Sequence, residues 1–297
     1  MALPNFLVIG VGKAGTTSLY NYLRQHPEIG MSRLKEPKFL LYAGHLMSPI
    51  PGKTPHFRVT TMEAYEALFE GYEDRPARGE VTPTYIMYPE QTIYGIRKYV
   101  PDTRMIAVFR QPVDRAYSNY LMHVRNGNET LASFPEALRS ESAGAMRADG
   151  RPRSYIGRGF YLERTKKYLQ AFSRERFLFL LYDDLVQDPA LLLRSIFQFL
   201  GVRETFTPDF NIRYNAGAWP RSRLANRFIK SSNPGKKILM RLIPDAVRRR
   251  LVDRFHAANM RTPPPLDPSL RRELTLQYRE DILGLQELIG RDLSHWL

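Results

Sequence analysis

The stretch that most constrains this chain is Phe6-Leu-Val-Ile-Gly10-Val-Gly12-Lys13-Ala14-Gly15-Thr16-Thr17-Ser18-Leu19. Four apolar residues run into three spaced glycines and then into a helical pattern that opens Thr-Thr-Ser. A strand that empties through glycines into a helix leaves successive backbone N–H groups unpaired and pointing the same way, and the helix dipole adds positive potential there. The glycines let a ligand approach the main chain, Lys13 adds a full charge, and the hydroxyls add donors. The stretch reads as an anion cradle suited to phosphate. The plainer alternative is a tight strand–helix turn with no ligand.

The loop alone does not fix the ligand. Gly10-x-Gly12-x-x-Gly15 matches the dinucleotide fingerprint in form, and Glu36 lies about where a ribose-binding acid belongs. That acid should end a second strand, whereas Glu36 sits in the polar, proline-broken run Arg33-Leu-Lys-Glu-Pro-Lys38. The ATP loop G-x-x-x-x-G-K-[ST] also fails, because Lys13 precedes the last glycine. An NAD(P)-dependent Rossmann oxidoreductase remains the alternative enzyme class.

Two further apolar runs, residues 105–109 and 177–182, read as buried parallel strands beside 6–9, with a short strand near 78–81. Helical patterns follow at 16–25, 113–124 with Pro112 in the first turn, and 189–200 closed by Gly201. Asp183-Asp184-Leu185 reads as a turn. Strands alternating with helices predict an α/β fold, a central parallel sheet flanked by helices, in one domain over residues 1–297. Residues 46–55 and 140–159 read as loops, and 269–289 as a final helix packing through Leu274, Tyr278, Ile282, Leu285 and Leu288.

Charge sharpens this picture. Among 297 residues, 44 are Lys or Arg and 30 Asp or Glu, a net +14. Residues 221–261 carry twelve Arg or Lys against Asp245 and Asp253, so a surplus of ten sits in one stretch. It reads as short basic helices, lid-like, or a docking surface for an acidic carrier protein or anionic membrane. A basic module for nucleic acid or an acidic partner is the non-enzyme alternative. The chain has no cysteine, which excludes a disulfide scaffold, a thiolate nucleophile and cysteine-bound zinc or iron–sulfur clusters. The apolar runs are too short to span a bilayer, and the first residues lack a signal-peptide pattern. These features predict a soluble, cytoplasmic protein without a transmembrane segment.

A second anchor narrows the reading. In Phe109-Arg110-Gln-Pro112-Val-Asp-Arg115-Ala-Tyr-Ser118, Arg110 lies at a strand's carboxyl edge and Ser118 about two turns into a helix, which suits gripping one phosphate from two sides. With both anchors in view, the chain resembles sulfotransferases that use 3′-phosphoadenosine 5′-phosphosulfate (PAPS), bacterial sulfotransferase-domain proteins and the heparan-sulfate branch above all. The resemblance continues through Leu34-Lys-Glu36-Pro-Lys-Phe39, Gly79-Glu80-Val-Thr82-Pro83, Gly159-Phe-Tyr161, Leu181-Tyr-Asp-Asp-Leu185 and Gly290-Arg-Asp-Leu-Ser-His-Trp296, in family order.

The resemblance implies the P-loop-like fold of that family, transfer of a sulfuryl group from PAPS to an acceptor hydroxyl, and release of PAP. It implies that Lys13 meets the 5′-phosphosulfate with Ala14, Gly15, Thr16, Thr17 and Ser18, that Arg110 and Ser118 hold the 3′-phosphate, and that Tyr161 adds a nucleotide contact or serves as core. Arg221 and Arg223 match a loop that closes over the nucleotide. Glu36 matches the family's base, with Lys35 and Lys38 placed to pair with it. His26 and His45 lie in no segment that matches the histidine-dependent branch, and His123 is expected to pack on its helix. Val81 stands where several heparan-type enzymes carry a lysine, which weakens any transfer of saccharide specificity. Glu80 and Thr82 are expected to help shape the site. No clustered metal ligands appear, and the chemistry implied needs no metal. The acceptor stays open among saccharide, glycolipid, lipid or polyketide, and small natural-product hydroxyls.

Overall fold

The structure, a computed structural model, describes residues 2–42, 59–147, 149–211, 219–222 and 259–297. The loop expected at 46–55, His45, Arg223 and all but the ends of the basic segment lie outside the described residues.

Five parallel strands form the central sheet: β1 (Phe6–Gly10), β2 (Ile29–Met31), β3 (Ala77–Val81), β4 (Arg104–Phe109) and β5 (Phe177–Leu181), in the order β2-β3-β1-β4-β5. Every residue of β1 is buried, as are five of the six in β4, which is why both read as unbroken apolar runs. β3 is the exception, since it carries Arg78 and the fully buried Glu80. β2, three residues around Gly30, is too short to leave a pattern and was not anticipated.

The connecting helices are α1 (Thr16–Leu23), α2 (Phe39–Tyr42), α3 (Met62–Glu66), α4 (Pro89–Tyr99), α5 (Pro112–Arg125), α6 (Phe134–Ser142), α7 (Leu162–Ala171), α8 (Tyr182–Gln187) and α9 (Pro189–Leu200), followed by a final helix over Pro268–Ile289. Gly201 ends α9 in the left-handed conformation expected of a C-cap. The turn expected at Asp183-Asp184-Leu185 is helical: β5 stops at Leu181, and Asp184 accepts the Leu181 N–H at 3.2 Å in the first turn of α8, where acidic residues suit the helix dipole. The loop expected from residue 140 starts three residues later, because Ser133 caps α6 and the helix runs to Ser142.

The chain divides into two compact units. The first holds the sheet and comprises residues 1–111, 160–215 and 278–297; the second comprises 112–159 and 216–277. In the first, β1 sits at the centre. The chain leaves it towards β3 and β2, while from β4 it continues outward to β5, so the order reverses between β1 and β4. Such a topological switch point opens a crevice at the strands' carboxyl ends. The second unit is built on α5, α6 and a two-stranded ribbon of β6 (Trp219–Pro220) and β7 (Met260–Arg261). Its core packs Tyr120, with tilted rings, against Phe134 at 5.2 Å and Trp219 at 6.0 Å. There Glu129, fully buried, takes Arg153 at 2.9 Å and the Tyr155 hydroxyl at 2.7 Å. No helix among the described residues is long and apolar enough to cross a membrane.

Candidate active site

The glycine loop leaves the carboxyl end of β1 at the switch point. The Val11 N–H donates to Val108 O of β4 at 2.9 Å, which ties the loop to the neighbouring strand. Lys13 takes a left-handed φ of 78°, a strained choice for a residue with a side chain. Gly15, at φ 75°, is the N-cap of α1, and no side chain caps that helix. The first bond of the α1 ladder runs from Leu19 N to Gly15 O, so the N–H groups of residues 15–18 precede it. Space around Gly15 is also tight. A Cβ placed there would lie 2.4 Å from a Leu185 methyl and 3.2 Å from the Tyr182 ring. Ala14 and Thr16 are buried beneath the loop, while Thr17 and Ser18 are half-exposed. This bare, dipole-backed cradle fits a phosphate group.

Arg110 follows β4 on the other side of the switch point. Its Nη1 donates to Lys13 O at 2.8 Å, and its guanidinium lies over the Tyr182 ring at 4.4 Å. Tyr161, 1 % exposed, donates its hydroxyl to Arg110 O at 3.0 Å and packs on Phe109. Tyr161 thus supports the arginine from its backbone side. Asp281 in turn accepts the Tyr161 and Leu162 N–H groups at 2.7 and 3.1 Å. Tyr182 was not singled out from the sequence, where it was read as the end of a strand. It touches both anchors, packing near Gly15 and under Arg110.

Glu36 sits at the carboxyl end of β3, the other neighbour of β1. Its N–H donates to Val81 O at 3.0 Å. Glu36 and Lys38 take φ of 59° and 62°; with Lys13 they are the non-glycine residues of positive φ among those described. Backbone strain of this kind costs about 1–3 kcal/mol per residue and persists only where surrounding contacts over-determine it. The Glu36 carboxylate is half-exposed and lies 2.8 Å from Lys35 Nζ and 3.9 Å from Lys38 Nζ, so both expected pairings form. Beneath it is Glu80, with no exposed surface. Glu80 Oε1 accepts the hydroxyls of Tyr65 at 2.8 Å and Tyr85 at 2.7 Å, and Oε2 accepts that of Thr82 at 2.5 Å. Burial pushes the Glu80 carboxyl up to about 7 against the pull of these donors, and the charge of Glu36 adds to the rise.

The remaining expected residues divide by unit. Ser118 is half-buried, in the second turn of α5. Arg221 is exposed beside the β6–β7 ribbon, its N–H donating to Asn259 O at 2.6 Å. His26 is spent on structure, with Nε2 3.0 Å from Arg203 O and Nδ1 accepting the Glu28 N–H. His123 lies in the last turn of α5 with its ring 6.1 Å from that of Tyr155, and burial holds its imidazole down at about 4.

Three strand ends therefore carry Glu36, Lys13 and Arg110 side by side at one edge of the sheet. The sulfotransferase domain family matches residues 3–210. Mouse heparan sulfate glucosamine 3-O-sulfotransferase 6 is 30% identical over 223 residues, 72% of this chain and 56% of its own length. Mouse bifunctional heparan sulfate N-deacetylase/N-sulfotransferase 4 is 26% identical over 309 residues, 99% of this chain and 31% of its own. The chain thus spans about half the length, or less, of these curated relatives. The crystal structure of a sulfotransferase from Alicyclobacillus acidocaldarius superposes with a TM-score of 0.73 at 29% identity, covering 100% of this chain and 99% of that one.

Proposed function

The chain belongs to the sulfotransferase domain family, and from that premise we propose that it moves a sulfuryl group from PAPS to an acceptor hydroxyl, with Glu36 as the base. The observation that carries the reading is the junction of Lys13 and Arg110 at the switch point, where the arginine holds the lysine's own carbonyl at 2.8 Å. PAPS brings the activated sulfuryl group on its 5′-phosphate. Lys13 and the N–H groups of residues 15–18 neutralise the charge that grows on the leaving phosphate, and Arg110 with Ser118 grips the 3′-phosphate. Glu36 accepts the proton of the acceptor hydroxyl as its oxygen bonds to sulfur. Tyr161 and Tyr182 hold Arg110 in place, and the family likeness adds Arg221 and Arg223 as further nucleotide contacts. No metal enters this scheme.

The names of the curated relatives favour a saccharide hydroxyl within the acceptor class. Val81 in place of a lysine stands against assuming the heparan substrate itself. The basic segment 221–261 belongs to the same reading as the surface that meets an acidic acceptor or its carrier, and the cytoplasm is its setting.

Calorimetry with PAP, NAD and ATP on the wild type, Lys13→Ala and Arg110→Ala tests the donor. PAP should bind the wild type and lose affinity in both variants; tight NAD binding with none of PAP sinks the proposal. Glu36→Gln should cut PAPS turnover by about 10²–10⁴ and leave PAP affinity within about twofold. Unchanged turnover removes Glu36 from the role of base.

A further inference from the structure

The segment 34–40, which carries Glu36, is a strap across the end of β3. Ser32 Oγ holds Leu34 O at 2.8 Å and the Phe39 ring meets Tyr99 edge-on at 5.1 Å, while two further ties converge on one buried group. Glu36 N–H donates to Val81 O at 3.0 Å, immediately after Glu80. Leu40 N–H donates to the Tyr85 hydroxyl at 3.3 Å, and that hydroxyl donates onward to Glu80 Oε1. The Phe39 ring stacks on Tyr65 with centroids 4.4 Å apart and planes 22° apart, and the Tyr65 hydroxyl donates to the same Oε1. Tyr65, Tyr85 and Glu80 are all fully buried.

We propose that Glu80 is a positioning residue: through Tyr65 and Tyr85 it fixes the strap, and with it the left-handed backbone that sets the Glu36 carboxylate beside the end of β3. The strap's strained backbone is over-determined by its contacts. Two residues of the strap, Glu36 and Lys38, hold unfavourable φ values. A free segment would relax them. Beside the Val81 and Ser32 bonds and the Phe39–Tyr99 contact, the restraints at Phe39 and Leu40 are a stacked ring and a hydroxyl, each aimed by an acceptor on Glu80. Deleting that acceptor orphans two buried hydroxyls, which reorient to find partners and release Leu40 and Phe39. Replacing Glu80 by glutamine is different. The amide oxygen can still accept from both tyrosines, while its NH₂ donates to Thr82, whose hydroxyl can turn to accept. What matters is the acceptor at the Oε1 position, with the charge secondary. The catalytic consequence rests on the reading of Glu36 as base; the strap's dependence on Glu80 does not.

The test separates the two. Amide hydrogen exchange at Glu36 and Leu40, with PAP calorimetry, is compared in wild type, Glu80→Gln and Glu80→Met. PAPS turnover is followed with a desulfated heparan sulfate oligosaccharide or water as acceptor. Glu80→Met should lower protection at Glu36 and Leu40 by about tenfold or more, the equivalent of one buried hydrogen bond, and cut turnover by a like factor. PAP affinity should stay within about twofold. Glu80→Gln should restore protection and most of the turnover. In a Glu36→Gln background, Glu80→Met should add little further loss. Should Glu80→Met fold poorly, Tyr85→Phe removes only the hydroxyl and should loosen Leu40 selectively. Wild-type protection at Glu36 and Leu40 in Glu80→Met, a glutamine variant as loose as the methionine one, or fully additive losses with Glu36→Gln each overturn the proposal. Loosened protection combined with unchanged turnover in Glu36→Gln instead overturns the base reading and leaves the strap's dependence on Glu80 standing.

Discussion

The phosphate loop and the Glu36 strap end adjacent strands of one sheet, yet they are held by opposite means. The loop is gripped at its own main chain: Val11 N–H on Val108 O, the Arg110 guanidinium on Lys13 O, and a glycine at φ 75° packed against Leu185 and Tyr182. The strap is fixed by side chains, a hydroxyl network gathered on a buried carboxyl. Main-chain geometry presents several N–H donors to an anion without any polar side chain having to be buried. A side-chain network places a single carboxylate but requires a buried, ionisable group beneath it. The contrast suits two tasks, since a nucleotide phosphate is met by many equivalent donors and a base must stand in one place.

Removing the charge at the loop should produce the largest change. Lys13→Ala removes the cation that meets the leaving phosphate, and turnover should fall by about 10²–10³ with the fold intact. Thermal unfolding should move little, because the Lys13 side chain is half-exposed and the loop's ties are to its backbone. If Lys13→Ala unfolds the protein more readily than it slows it, the loop depends on side chains after all and the contrast with the strap collapses.

Gly15→Ala probes the same loop through shape alone. The added Cβ meets Leu185 at 2.4 Å and must take φ near 75°. Backbone strain and overpacking together should cost about 2–5 kcal/mol in denaturant unfolding, with PAP affinity falling in parallel. Unlike Lys13→Ala, this change should hurt stability and binding together. An alanine variant of wild-type stability shows that the cradle adapts, and main-chain geometry then loses its claim as the loop's organising element.

How much of this was legible follows the same division. β1, β4 and β5 were readable because strands buried on both faces must be apolar throughout, and the loop because its spacing is local and dictated by a helix N-terminus. β3 was only half readable, since Arg78 and Glu80 interrupt it. The hydroxyl network was not readable as a unit. Glu80 and Thr82 were expected to help shape the site, but nothing local links them to Tyr65, and only the fold brings Tyr65 of α3 to the carboxyl of β3. Tyr182 was lost to a one-residue error at a strand end, where apolar character carries on into the helix that follows. The likeness to known sulfotransferases supplied Glu36; nothing in its own neighbourhood marks it apart from other paired surface glutamates.

The buried carboxyl leaves its own signature, which separates the strap from the loop without any assay of activity. Burial raises Glu80 from its ordinary 4.5 to about 7. The folded state therefore holds a proton that the unfolded chain releases, and between about pH 4.5 and 7 the native protein binds more protons than the unfolded one. By linkage, the contribution of Glu80 to stability is fully present below about 4.5 and is lost as pH rises to about 7. The loss is at most about 3 kcal/mol, a figure that already includes the pull of the three hydroxyl donors. Denaturant midpoints measured across this window should decline more steeply for the wild type than for Glu80→Gln, which cannot titrate. Lys13→Ala should follow the wild-type slope, because the loop holds no buried acid of its own. Equal slopes for the wild type and Glu80→Gln would mean that the tyrosines and Thr82 solvate the carboxylate as well as water does. Glu80 would then be a permanent anion, and the strap would be held at no more electrostatic cost than the loop.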